Sequence, residues 1–183
     1  MKVLMTDIDG CLNSAASAEL LLCIPEARRS KNESFLQQFG SYQVQGRPWP
    51  RLPSEFCPLA VSNYNYILQK VPDLKVVVSS FWRWGKTVDE LRDIFTWLGL
   101  PADRVIDKTP VLHGVHRGAE ILKWLEGHPE VTKYAIIDDD SDMDGTDEKA
   151  FFHCDSYNGL VYTQSMEIIK YFNADLRLRK TGK

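Results

Sequence analysis

Three features of this sequence predict an α/β fold built on a doubly wound parallel sheet. The first is a set of short, nearly pure apolar runs: Val3-Leu4-Met5, Leu74 to Val78, and Tyr134 to Ile137. Runs of this kind suit strands buried on both faces, as parallel strands are. The second is the set of amphipathic stretches between them, whose apolar residues recur near the helical period. Strand and helix therefore alternate, the pattern of a parallel sheet with helical crossovers, which are expected to be right-handed. The third is the polar group at the end of each run: Asp7 and Asp9, then Ser79-Ser80, then Asp138 to Asp140. Groups just past the carboxyl ends of strands stand where open α/β sheets bind ligands.

At 183 residues the chain reads as a single domain, 1–183, with a cap or lid insertion over 14–53. Apolar residues make up 44%, enough for a full core, and a formal net charge of -3 gives no general attraction to nucleic acid or membranes. Cys11, Cys23, Cys57 and Cys154 are irregularly spaced, with no CxxC or Cys/His metal pattern. Reduced thiols in a cytoplasmic protein are the simplest reading. No signal peptide is expected, because Met1-Lys2 runs directly into the first strand. No stretch approaches the roughly 20 apolar residues of a membrane span.

In chain order, the first strand ends at Asp7-Ile8-Asp9-Gly10. Side-chain alternation would put Asp7 and Asp9 on one side. Two like charges that close are costly unless a cation or a shared proton offsets them. The bland alternative is an Asp-rich turn after an edge strand. Residues 14–24 suit a short helix or buried loop ended by Pro25. Glu26 to Leu52 is polar and has no clear period, with Arg28, Arg29, Lys31, Arg47 and Arg51 interleaved among Phe35, Phe39, Tyr42 and Trp49. It reads equally as a lid over a site or as a solvated excursion. Its basic and aromatic residues suit contact with a nucleotide or a nucleic-acid end.

A helix is expected from Ser54 or Pro58 to about Lys70, with Leu59, Ala60, Tyr64, Ile67, Leu68 and Val71 near the helical spacing. The strand Leu74 to Val78 ends at Ser79-Ser80, a pair that alone would be read as a helix cap. Thr87 to Leu98 is an amphipathic helix with Val88, Leu91, Ile94, Phe95 and Leu98 on its apolar face, stopped by Gly99. Arg104 to Asp107 is a short strand, and Lys108-Thr109-Pro110 leads to a loop with His113 and His116. Neither histidine has metal-ligand partners at a recognisable spacing. Arg117-Gly118 precedes a helix over Ala119 to Leu125 with Ile121, Leu122 and Leu125 inward. The strand Tyr134 to Ile137 then meets the acidic run Asp138 to Asp142. Ala150 to Cys154 is expected as the last central strand, Asp155 to Leu160 as a turn, and Glu167 to Phe172 as the final helix before a basic, solvated tail. Asp140-x-Asp142-x-Asp144-Gly145 matches half of a calcium-binding EF-hand loop. The twelfth position is Phe151, where a bidentate Glu is required, and a strand rather than a helix precedes it.

The stretch Asp7-Ile8-Asp9-Gly10-Cys11-Leu12 resembles the first motif of the haloacid dehalogenase (HAD) superfamily of phosphotransferases. The serine pair, a basic residue and the acidic cluster come after it in that superfamily's order. The resemblance implies a HAD-like, Rossmann-like fold, a nucleophilic Asp7, a general acid/base Asp9, and Mg2+ held by Asp7, Asp9, Asp138 and Asp139. It implies that Ser79 donates a hydrogen bond to the transferring phosphoryl group, with Ser80 the adjacent alternative. Arg117 fits the cationic third motif, where a fixed positive charge stabilises phosphoryl oxygens; Lys108 is the runner-up. Ser80, Gly10 and Lys108 are expected to line the substrate, and Asp142 to help from further out. More narrowly, Ser79 to Arg83, Arg117 to Leu125 and Ile136 to Asp140 resemble small domains of phage and bacterial proteins associated with RNA repair. Cys11 stands where Thr or Val is usual. The function implied is two-step hydrolysis of a phosphomonoester, on a nucleotide or a nucleic-acid end. The expected partner is thus a phosphorylated small molecule or strand end, with no membrane. The alternatives are another small metabolite, or a non-catalytic phosphate-binding module, which would need no general acid at Asp9.

Overall fold

A computed structural model describes residues 1–39, 43–44, 47–48 and 56–180. In chain order the elements are β1 (Lys2–Thr6), α1 (Ala15–Leu22), α2 (Pro25–Phe39), β2 (Gln43–Val44), β3 (Arg47–Pro48) and α3 (Pro58–Lys70). Next come β4 (Leu74–Val78), α4 (Val88–Trp97), β5 (Val105–Lys108), α5 (Arg117–Glu126), β6 (Lys133–Asp138), β7 (Phe151–His153) and α6 (Tyr162–Lys180). The main sheet has five strands in the order β5-β4-β1-β6-β7, and every pairing in it is parallel. β2 and β3 form a separate two-residue antiparallel pair.

Alternation along β1, β4 and β6 divides the core in two. Leu4, Val76, Val78, Ala135 and Ile137 pack with Tyr64 and Ile67 of α3, Leu91 and Phe95 of α4, and Ile168 and Phe172 of α6. Val3, Met5, Val77 and Ile136 pack on the other face with Ile121 and Trp124 of α5 and with Met143. Each such side chain contributes about 1.5–3 kcal/mol when fully buried, and burial on both faces is why these strands are nearly unbroken apolar runs.

The register fixes the site. Thr6 pairs with Val78 on one side and with Ile137 on the other. The ladder continues one step further: Asp7 N donates to Ile137 O at 2.9 Å and Ser79 N to Thr6 O at 2.9 Å. Asp7, Ser79 and Asp138 therefore leave three adjacent strands at one level. Helix starts are fixed locally. Thr87 and Glu90 form a reciprocal capping box at α4, and His116 caps α5 by accepting from Ala119 N.

Several expectations need correction. Pro25 opens α2 rather than ending α1, because proline suits the first turn, where its missing N–H has no partner to lose. The polar stretch after it is helical as far as Phe39, built from good helix formers with no apolar stripe to reveal a period. β7 is an edge strand, not a central one. α5 buries Trp124, while Leu122 and Leu125 are only half-buried. α6 is much longer than Glu167 to Phe172. Tyr42, Trp49, Arg51 and the alternative helix start at Ser54 lie outside the described residues. Among the described residues no helix is long and apolar enough to cross a membrane.

Candidate active site

At the carboxyl ends of β1 and β6, one carboxylate oxygen from each of Asp7, Asp138 and Asp139 lies within 4.8 Å of the others. Asp7 and Asp138 are buried. Burial, followed by the charge of Asp138, pushes the Asp7 carboxyl well above the usual carboxylate range, against the lowering effects of Arg117 and a hydrogen bond from the Ser80 side chain. Burial likewise pushes Asp138 up to about 7, with Asp139 and Asp142 raising it further while the Asp140 N–H and Arg117 oppose the shift. Asp7 Oδ1 is buried with no hydrogen-bond partner, and Asp138 Oδ2 has none beyond its 3.5 Å ion pair with Arg117. Crowded carboxylates with orphaned oxygens want positive charge. An all-oxygen donor set suits a hard divalent cation such as magnesium.

The carboxylate of Asp9, a residue expected among the ligands, is not one of this trio. The chain leaves β1 after Thr6, so strand alternation no longer sets its direction. Asp9 Oδ1 instead accepts from Asn13 Nδ2 at 2.7 Å and from Trp82 Nε1 at 3.1 Å. Both donors converge on one oxygen, Oδ1.

Gly10, expected to line the substrate, lines a cleft beside Asp139 and has a structural place as well. Its N–H donates to Asn13 Oδ1 at 2.8 Å, its φ is +67°, and a Cβ there would fall 2.1 Å from Asp139 Oδ2. Only glycine takes this backbone shape freely, and only glycine leaves room for Asp139.

The two serines differ in their surroundings. The Ser80 hydroxyl hydrogen-bonds the Asp7 carboxylate. It also caps the 3-10 turn Phe81–Arg83 by accepting from Trp82 N. The Ser79 hydroxyl is buried without a hydrogen-bond partner. Turning directly into the 3-10 segment brings the second serine, not the first, to Asp7.

Arg117 meets the acidic trio: its Nε lies 3.5 Å from Asp138 Oδ2, and its Nη1 3.5 Å from Glu120 Oε2. Asp142 holds this helix start by accepting from Arg117 N at 2.9 Å, and α5 sits so close to residues 143–144 that a Cβ on Gly118 would clash with their backbone. Lys108 does not contact the site as expected. Its ammonium donates to the carbonyls of Arg83 and Lys86, bracing that turn. The EF-hand alternative fails as its sequence suggests, since Asp142 anchors α5 and Phe151 opens β7.

Arg83 does not stand out in the sequence. Its side chain is fully buried and donates to the carbonyls of Ser79, Ser80, Thr109 and Pro110. It also pairs with Glu120 Oε2 at 2.5 Å. Burial, then Arg117 nearby, lowers its pKa to about 10 against the pull of Glu120. One guanidinium thus ties the tips of β4 and β5 to the first turn of α5, and through Glu120 to Arg117. The available signals are an Arg inside the aromatic run Phe81-Trp82-Arg83-Trp84 and a Glu beside the apolar face of α5. Trp82 and Asn13 also escape a sequence reading: Trp82 reaches Asp9 across 73 positions of sequence, beyond any local pattern.

Two clefts open beside these groups. One, of about 340 Å³, is lined by Gly10, Asn13, Ala15, Asp139 and Ser156 among others. The other, of about 240 Å³, lies against Arg117.

The family described as the HAD domain in Swiss Army Knife RNA repair proteins matches residues 3–164 of this chain. No curated protein and no solved structure matches it.

Proposed function

The chain belongs to that family of HAD domains, and on this premise we propose that it is a magnesium-dependent phosphomonoesterase acting on a nucleotide or a nucleic-acid end. The observation that carries the proposal is the trio Asp7, Asp138 and Asp139 beside a separately held Asp9. A pure binding site has no use for the second kind of carboxylate. The family's association with RNA repair proteins supports the choice of substrate.

Asp7, Asp138 and Asp139 are the residues that would hold magnesium. When bound, it supplies the positive charge that lets an anionic nucleophile meet an anionic phosphate. The Asp7 carboxylate attacks phosphorus, and the phosphorus–alcohol bond breaks as Asp9 gives its proton to the leaving oxygen. Asp9 then takes a proton from water, which attacks the aspartyl-phosphate and releases Asp7 and inorganic phosphate. Ser80 and Arg117 hold the transferring oxygens, and most of the rate comes from such positioning and charge stabilisation. Asn13 and Trp82 fix Asp9 so that Oδ2 faces the proton it moves.

The test is phosphate release from an aryl phosphate and from phosphorylated oligonucleotides, with magnesium and with a chelator. Release should require the metal and fall by roughly four orders of magnitude in Asp7→Asn. Release that survives Asp7→Asn, or none from any of these substrates, overturns the proposal.

A further inference from the structure

We propose that the cleft against Arg117 is a nucleobase subsite, where the base of the nucleoside carrying the scissile phosphate stacks on Phe81. The inference rests on the phosphatase reading and adds the chemical class of the leaving group.

The cleft, of about 240 Å³, runs between the turn that begins at Phe81 and the loop before α5. Its apolar walls are Phe81, Trp84, Leu112 and Val115. Phe81 is 48% exposed, Val115 46% and Leu112 37%. Large apolar side chains left open to water and grouped around one cleft mark a binding surface. The Phe81 and Trp84 rings meet at 4.9 Å and 50°, making an aromatic corner.

Arg117 links the cleft to the acidic trio. It lines the cleft, and the same guanidinium lies 3.5 Å from Asp138 Oδ2 and 5.4 Å from the centre of the Phe81 ring. A group on Phe81 is therefore one guanidinium away from the acidic trio, the separation of neighbouring parts of a single ligand. The walls are also built in advance. Arg83 pins the carbonyls beneath the turn, and Leu112 N donates to Glu120 Oε1 at 2.9 Å. A preformed surface loses little freedom when a ligand lands on it.

Charge narrows the occupant. Glu120, Asp140 and Asp142 share the lining with Arg83, His113 and Arg117, and Glu120 is paired with both guanidiniums. A second phosphate or a carboxylate would meet the carboxylates of Asp140 and Asp142 at close range, while both guanidiniums are already engaged by Glu120. A flat, neutral aromatic ring covers the apolar walls, and its amino groups can donate to the acidic rim. Stacking of this kind changes affinity by about tenfold per base.

The experiment compares a phosphorylated dinucleotide with its counterpart whose phosphate-bearing residue is abasic. Turnover is measured with wild type, and equilibrium binding with Asp7→Asn in magnesium; both are repeated with Phe81→Ala in each background. The expected result is a KM and a Kd about tenfold lower for the base-bearing probe, with both ratios falling towards one in Phe81→Ala. A ratio within one protein is blind to partial loss of folding or to a disturbed Arg117. Equal constants for the two probes in an active enzyme overturn the subsite and leave the phosphatase reading standing. Base-dependent binding without turnover by wild type overturns the phosphatase reading and leaves the subsite standing.

Discussion

Asp7 and Asp9 are two positions apart in sequence but occupy different environments. Asp7 is buried among like charges, whereas Asp9 is held by two neutral donors. Sequence reveals the pair and its location past an apolar strand. It does not reveal the division of labour, because the donors to Asp9 depend on how the 3-10 turn after β4 lies against the first loop. Trp82→Phe removes the indole N–H and keeps most of the packing against Phe56, whose ring centre is 5.3 Å away. A hydrogen bond to a charged group contributes about 1.5–3 kcal/mol. Steady-state kinetics should therefore show kcat lower by at least about tenfold with an almost unchanged melting temperature. Gly10→Ala acts differently, since its Cβ would displace the Asp139 carboxylate. Disturbing groups that orient ligands lowers metal affinity by about 10–100-fold, so a magnesium titration of activity should shift by that factor towards higher concentration.

At the scale of elements, the legible pieces are those whose pattern is local. The apolar strands, the capping box of α4 and the order of the polar strand tips can all be read from neighbouring residues. α2 is not legible because a helix without an apolar face has no period to detect. The preference for Ser80 over Ser79 is hidden for a similar reason: it depends on where β4 gives way to the turn. Arg83 is the case with the largest consequence. It joins β4, β5 and α5 through buried bonds, so Arg83→Met would leave Glu120 as a buried charge without that partner. Breaking such a pair typically costs about 3–5 kcal/mol. Urea unfolding should show a loss of that size. Glu120→Gln, which keeps an acceptor oxygen facing Arg83, should lose less.

For the whole molecule, the parallel sheet brings the acidic trio together at one end, and its mutual repulsion is set against the stability of the fold. Asp138 has a folded pKa of about 7 against a usual 3.8, and Asp7 is raised as well. The folded state thus keeps protons that the unfolded chain has already released. By linkage, the metal-free protein should lose stability as the pH rises from about 4 through about 7. Magnesium at a hundred times its Kd should restore about 2.7 kcal/mol, and thermal melts with and without the ion should differ most above pH 7. The parallel sheet and the grouping of acids at its carboxyl edge are legible in the sequence, because buried strands and their polar tips are written locally. All three members of the trio are among the ligands that the resemblance implies; the separate place of the Asp9 carboxylate is not legible, because it depends on where the loop turns after β1. The most direct measurement of the central claim, that the phosphoryl group passes onto Asp7, is mass analysis of Asp9→Asn protein after reaction with a phosphomonoester and magnesium. Without its general acid/base the second step stalls, and the peptide containing Asp7 should gain the mass of one phosphoryl group, a gain lost in the Asp7→Asn, Asp9→Asn double variant. An active wild type whose Asp9→Asn variant carries no such adduct, or carries it on another residue, would contradict the account.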